Sequence, residues 1–140
     1  MARRVFVDTS GWYSLIDRRD GAHRPSRAFV EEWLIAGGRL VSSDYVLDES
    51  FTLARARSGT RAAVRLMDLI ERTTALDLEW VGHERFEQAR GLFRRYADQA
   101  FSFTDCTSFV LMKELGLEGA LTSDQNFRVA GFDLVLHPSE

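Results

Sequence analysis

Short unbroken apolar runs alternate along this chain with longer stretches in which apolar residues recur at helical spacing. Val5, Phe6 and Val7 form a run with no polar interruption, the mark of a strand buried on both faces at the centre of a parallel sheet. It ends abruptly in Asp8, Thr9 and Ser10, poor strand residues but good helix caps. A short helix is expected over 11–16 and another over 26–36, where Ala28, Phe29, Trp33 and Leu34 share a face before Gly37 and Gly38 stop it. Residues 39–42 read as a second strand, 45–57 as a helix capped by Ser43 and Asp44, and 60–71 as a helix opened by Thr60. The alternation over 76–81 suggests an edge strand with one wet face. A strongly amphipathic helix follows over 84–97, then one through 115 capped by Thr104, a strand at 119–122, a short helix from Asp124 to Gly131, and a last strand at 132–136 before Pro138.

Strands alternating with helical segments imply crossover connections, hence an α/β fold: a mostly parallel sheet of four to five strands with helices on both faces. The 140 residues suit one domain, 1–140, with no linker and no internal repeat. No run reaches the roughly 18 apolar residues of a membrane span, and the apolar stretch after the basic start is too short for a signal peptide. The lone Cys106 excludes an internal disulfide and fits a reducing, cytoplasmic setting. Net charge is −3, so the overall field gives no reason to expect nucleic acid. Yet Lys113 is the only lysine among 18 basic residues, and arginine favours planar contacts with phosphate or carboxylate.

Several acids converge on one edge of this sheet. Asp8 follows the first strand and Asp124 the fourth; in a parallel sheet both strand ends share an edge, where open α/β folds bind ligands. The helix through 115 enters the strand at 119 by a tight turn and so runs antiparallel to it, returning Asp105 to the same edge. Glu49 lies five residues beyond Asp44, about 7.5 Å along its helix, and helical side chains lean back toward the N-terminus. Asp44 and Asp48 are rivals for that place. Clustered carboxylates raise one another's pKa values, and a hard cation such as Mg²⁺ or Mn²⁺ relieves the repulsion while leaving room for a phosphate. The constellation suits metal-assisted phosphoryl chemistry.

Other chemistry lacks support. His23, His83 and His137 have no zinc-ligand spacing, Cys106 has no neighbouring histidine, and there is no glycine-rich phosphate loop. A receiver module needs a strand-end lysine, whereas Lys113 falls in mid-helix; a D-x-D phosphatase needs an acid where Ser10 stands.

In Val5-Phe6-Val7-Asp8-Thr9-Ser10, Val46-Leu47-Asp48-Glu49, Phe101-Ser102-Phe103-Thr104-Asp105-Cys106 and Leu121-Thr122-Ser123-Asp124-Gln125-Asn126-Phe127, the chain resembles the PIN-domain family, and within it the VapC-like toxins of bacterial toxin–antitoxin pairs. The resemblance spans nearly the whole chain. It implies a three-layer α/β/α sandwich and Mg²⁺- or Mn²⁺-dependent RNA cleavage by one or two ions, leaving a 5′-phosphate and a 3′-hydroxyl. It selects Glu49 over Asp44 and Asp48, giving Asp8, Glu49, Asp105 and Asp124 as catalytic metal ligands, with Thr9, Thr104, Ser123 and Asn126 in support. Asn126 stands where many relatives carry a further acid or a histidine. The implied partners are RNA, a cognate antitoxin and a second copy of the chain, docked through apolar helix surfaces around Trp12, Trp33 and 86–96. An RNA-maturation or decay nuclease, or a non-catalytic acidic binding module, is the alternative; the small size favours the toxin.

Overall fold

The computed structural model of the chain describes residues 3–137; Met1, Ala2 and the Pro138 expected after the last strand lie outside them. Twelve elements follow in order: β1 (Arg4–Val7), α1 (Thr9–Ile16), α2 (His23–Ile35), β2 (Arg39–Ser43), α3 (Asp44–Ser58), α4 (Thr60–Arg72), β3 (Leu76–Glu79), α5 (Gly82–Arg95), α6 (Phe103–Leu115), β4 (Gly119–Leu121), α7 (Asn126–Val129) and β5 (Asp133–Leu134). All five strands are parallel, in the order β3-β2-β1-β4-β5. β1 is central, and Val5, Phe6 and Val7 are buried, as its unbroken apolar run requires.

Right-handed crossovers fix the layers. The chain steps from β1 to β2 to β3 through α1 to α4, then returns past β1 to β4 and β5 through α5 to α7. The two directions of travel put the two sets of helices on opposite faces: α1 packs on α2, α3 and α4, while α5 and α7 pack on α6. β1 and β4 are neighbours whose following connections leave in opposite senses, which makes the gap beyond their carboxyl ends the topological switch point, the place where open α/β sheets bind ligands.

Several boundaries differ from the sequence reading. α2 begins three residues early because Pro25 sits in its first turn, where a missing N–H costs nothing. The cap of α6 is Ser102, not Thr104: Ser102 Oγ accepts from the Asp105 N–H (2.9 Å) and the Asp105 carboxylate accepts from the Ser102 N–H (3.1 Å), a reciprocal capping box. Phe103 packs on Phe86 and Phe93, which draws the chain into the helix early. β3 is indeed an edge strand but ends before Trp80, because the Val81 N–H is taken by the Asp44 carboxylate (2.8 Å). Trp12, expected on an apolar surface, is only 1% exposed in the core, its indole N–H donating to Ser42 Oγ.

Gly11 sets how closely α1 approaches the sheet. A Cβ there would stand 2.3 Å from the Leu121 carbonyl oxygen, so only glycine lets the start of α1 lie against the end of β4.

Candidate active site

The strand register places Val7 beside Leu121, so the next residues, Asp8 and Thr122, come together at the switch point. Asp8 occupies the N-cap position of α1 but its side chain does not cap the helix. Instead its Oδ2 accepts from Thr122 Oγ1 (2.8 Å). Thr122 has one hydroxyl proton, and Asp8 takes it; the hydroxyl therefore accepts from the Asp124 N–H (3.0 Å) and from Ser10 Oγ (3.1 Å). Ser10 Oγ accepts in turn from the Ser123 N–H (2.9 Å). This directed chain ties β1, α1 and the segment after β4 to one carboxylate.

Asp105 is 7% exposed, and its Oδ2 also accepts from Asn126 Nδ2 (3.3 Å), whose other proton goes to the Ala100 carbonyl (3.0 Å). The Asp124 carboxylate accepts from the Asn126 N–H (2.9 Å), closing a tight turn. Glu49 is exposed on α3, and its Oε1 accepts from Thr9 Oγ1 (2.7 Å). Of its rivals, Asp44 is committed to Val81 and Asp48 is exposed without a hydrogen bond among the described residues. Thr104 contributes its carbonyl to Thr107, and Ser123 its backbone N–H, rather than side-chain groups.

The electrostatics are those of acids held close without a countercharge. Burial pushes the Asp8 carboxyl up to about 7; hydrogen bonds from Thr122 and the Thr9 backbone oppose this, and the Asp105 and Asp124 carboxylates push the same way as burial. Burial also raises Asp105, against its bond from Ser102 and with the charge of Asp124. Among the described residues no arginine, lysine or histidine forms an ion pair with Asp8, Glu49, Asp105 or Asp124.

Residues 5–133 match the PIN domain. The chain belongs to the PIN-domain family. It is 34% identical over 128 residues to the 23S rRNA-specific endonuclease VapC20 of Mycobacterium tuberculosis, covering 91% of this chain and 95% of that protein. The crystal structure of VapC20, a sarcin-ricin loop cleaving toxin, superposes with a TM-score of 0.80 over the same shares of the two chains. The fold alone is shared with VapBC2 from Rickettsia felis bound to a promoter DNA fragment, at 11% identity and a TM-score of 0.64 over 91% of this chain and 92% of that one.

Among the described residues no three acidic, histidine or cysteine side chains converge tightly enough to grip one ion as they stand. The carboxylates gather at one edge, but their oxygens are turned to Thr122, Thr9, Ser102 and Asn126. The donor chemistry nevertheless fits a hard divalent cation: carboxylate oxygens only, two of the acids buried, and no cationic side chain paired with them. Sequence reasoning missed Thr122 and Ser10. The signal was available, since two parallel strands ending side by side bring the residue after each into contact.

Proposed function

We propose that this chain is a divalent-metal-dependent endoribonuclease, acting in the cytoplasm as the toxin of a VapBC-type pair. The observation that carries the reading is the uncompensated pair of buried acids, Asp8 and Asp105, at the β1/β4 switch point with Asp124 beside them. A buried carboxylate with no cation partner lowers the stability of a fold, and a group that binds a cation is a reason to keep it. Similarity to an rRNA-specific endonuclease across nearly the whole length supports RNA as the substrate class.

Asp8 and Asp105 would hold Mg²⁺ or Mn²⁺, with Glu49 and Asp124 completing the shell of one or two ions directly or through water. Bound there, the cation would supply charge neutralisation of the scissile phosphodiester and an activated water for in-line attack on phosphorus. The protein's own task is orientation. Thr122, backed by Ser10, fixes one oxygen of Asp8; Thr9 fixes Glu49; Asn126 fixes Asp105. Asn126 adds no charge, so a second ion would rest on Asp124 and Glu49. A cognate antitoxin would silence the site by placing an arginine against the same carboxylates, a charge-assisted pairing that competes with the cation. Exposed Val64, Met67, Trp80, Phe93 and Tyr96 are the apolar surface that a second copy and the antitoxin would cover.

Purified protein incubated with ribosomal and single-stranded RNA tests the reading. Cleavage with Mg²⁺ or Mn²⁺ and none in EDTA is expected. Full cleavage in EDTA would overturn the metal mechanism, and no cleavage of any RNA with metal would overturn the nuclease. Light scattering at micromolar concentration should give a dimer; a monomer would refute that part. A co-encoded peptide that fails to suppress cleavage would remove the antitoxin.

A further inference from the structure

An acidic site in a protein of net charge −3 repels the backbone it has to cut, and a cation at the acids neutralises only the phosphate beside it. The grip on the rest of the RNA has to come from elsewhere. Several arginines are already engaged: Arg39 makes a forked contact with Asp77 (2.7 Å), and Arg85 bridges Glu79 (3.0 Å) and Glu114 (2.5 Å). A different situation holds on the opposite helical layer. Between the α1–α2 turn and α4 lies an open groove of about 620 Å³ lined by Arg18, Arg19, Arg27, Arg65 and Arg72 together with His23. Asp17 and Asp68 line the groove and Glu31 meets Arg27 at its rim, so three carboxylates face these five guanidinium groups, a local surplus of two positive charges. Asp17 accepts from the Arg19 N–H (3.0 Å) and meets the Arg19 side chain only at 3.8 Å, which leaves that side chain 85% exposed. Arg27 reaches Glu31 at 3.6 Å with both side chains mostly exposed, an arrangement of little strength. Among the described residues Arg18, Arg65 and Arg72 pair with no carboxylate. The groove runs on into a second depression of about 400 Å³, which adds Arg24 and is lined by the same Glu31.

The walls of the groove are anchored. The turn from 17 to 23 is closed by backbone hydrogen bonds from Asp20 to Asp17 and from His23 to Asp20. A buried Ser14–Ser26 hydroxyl pair (2.8 Å) fastens α1 to α2, and Tyr13 Oη meets Ser58 Oγ (2.6 Å) to fasten α1 to the end of α3, with Arg57 over the Tyr13 ring. His23 Nδ1 is held against the Ser14 carbonyl (2.8 Å), which keeps the ring in place within the lining. The groove also lies at a defined distance from the acids. α1 starts at Thr9, beside Asp8, and its eight residues rise about 12 Å at 1.5 Å each, so the arginines begin roughly that far from the corner.

We propose that this arginine groove holds the phosphate backbone of the RNA a few nucleotides away from the bond that is cut. The inference rests on the endoribonuclease reading and deepens it. Forked guanidinium groups match phosphate oxygens two at a time, and the groove is joined to the acidic corner by a single helix, so one strand can occupy both. An acidic polypeptide is the competing occupant.

The test compares wild type, the triple variant Arg18→Gln/Arg65→Gln/Arg72→Gln, and a control, Arg90→Gln/Arg94→Gln, on α5 in the other helical layer. All five side chains are exposed, so melting curves should coincide. Fluorescence anisotropy of a labelled RNA in EDTA, across a salt series, reads binding without cleavage. The triple variant should bind at least tenfold more weakly at 0.1 M salt, and its salt slope should be shallower by about 2, near 0.7 for each lost contact to a single strand. With Mg²⁺ its KM should rise while kcat at saturating RNA holds, and the control should match wild type throughout. If wild type cleaves RNA and the triple variant binds and cleaves as it does, the groove proposal alone fails. Equal losses in the control would reduce the effect to net charge and overturn it as well. Unchanged RNA binding with lost binding of poly-glutamate would give the groove to an acidic polypeptide instead. A wild type that neither binds nor cleaves RNA overturns the nuclease reading and the groove with it.

Discussion

Replacing Asp8 by asparagine should make the metal-free protein more stable at pH 8 and not at pH 4. Asp8 is 5% exposed and its carboxyl is pushed up to about 7 from an unfolded value of 3.8. Between those values the native state keeps a proton that the unfolded chain has released. The native state therefore binds more protons, and stability falls as pH rises through that window. Below about pH 4 both states are protonated, and above about pH 7 both are ionised, so the loss levels off. At 1.36 kcal/mol for each pH unit, the ionised carboxylate costs the fold about 4 kcal/mol at pH 8. Asparagine is nearly isosteric and never ionises. Its Oδ1 can accept the Thr9 N–H while its amide meets the Thr122 hydroxyl, a rearranged bond that costs about 1 kcal/mol. The variant should then gain about 3 kcal/mol over wild type at pH 8 and lose about 1 kcal/mol at pH 4. Urea unfolding in EDTA at pH 4, 6 and 8, followed by the fluorescence of buried Trp12, measures both curves. Taking the difference between the two proteins removes the titrating groups they share, apart from Asp105 and Asp124, which feel the charge at position 8. A difference that stays flat from pH 4 to 8 would refute the claim that burial strains this carboxylate.

Three further outcomes follow from the same geometry. Mg²⁺ at a hundredfold excess over its Kd should stabilise wild type by about 2.7 kcal/mol and the Asp8→Asn and Asp105→Asn proteins far less, and both variants should lose RNA cleavage; equal stabilisation of all three in thermal melts would place the cation elsewhere. Thr122→Val keeps the shape but removes the proton given to Asp8, so it should cost about 1–3 kcal/mol, raise the Asp8 pKa further and lower kcat, with Thr122→Ser restoring most of it; a pH–stability profile unchanged in Thr122→Val would dismiss the hydroxyl chain. Gly11→Ala drives a methyl into the Leu121 carbonyl and should cost at least the roughly 1–3 kcal/mol of overpacking while reducing cleavage, as read by urea midpoints and initial rates; a neutral result would mean that α1 has room to move.

Much of the architecture was written in the hydrophobic pattern. The unbroken Val5-Phe6-Val7 run could only be a strand covered on both sides, and the alternation after Leu76 belonged to an edge. The short turn at Gly116, which has a left-handed φ of 69°, was enough to bring Asp105 back to the acidic edge. What escaped were interactions that depend on two segments distant in sequence. Nothing near Trp80 says that Asp44 will claim the next N–H and end the strand. The capping box at Ser102 and Asp105 was visible as a pattern, but Thr104, directly before the acid, was the nearer cap by inspection. The direction in which the Asp8 carboxylate points was out of reach, because it is decided by a hydroxyl proton: Thr122 has one to give, and the register of β1 on β4 delivers it to Asp8.

The double duty of Asp105 bears on how activity could be lost over time. Its carboxylate closes the start of α6, so a descendant that no longer cut anything would still be under pressure to retain an acid there. Glu49 has no such second post: it stands exposed on α3 and answers only to the Thr9 hydroxyl. Once chemistry ceased to matter, Glu49 would be free to drift while Asp105 stayed. In a silent copy of this protein, position 49 is therefore where the loss of function would first be recorded, and an aspartate at position 105 would testify only to the fold.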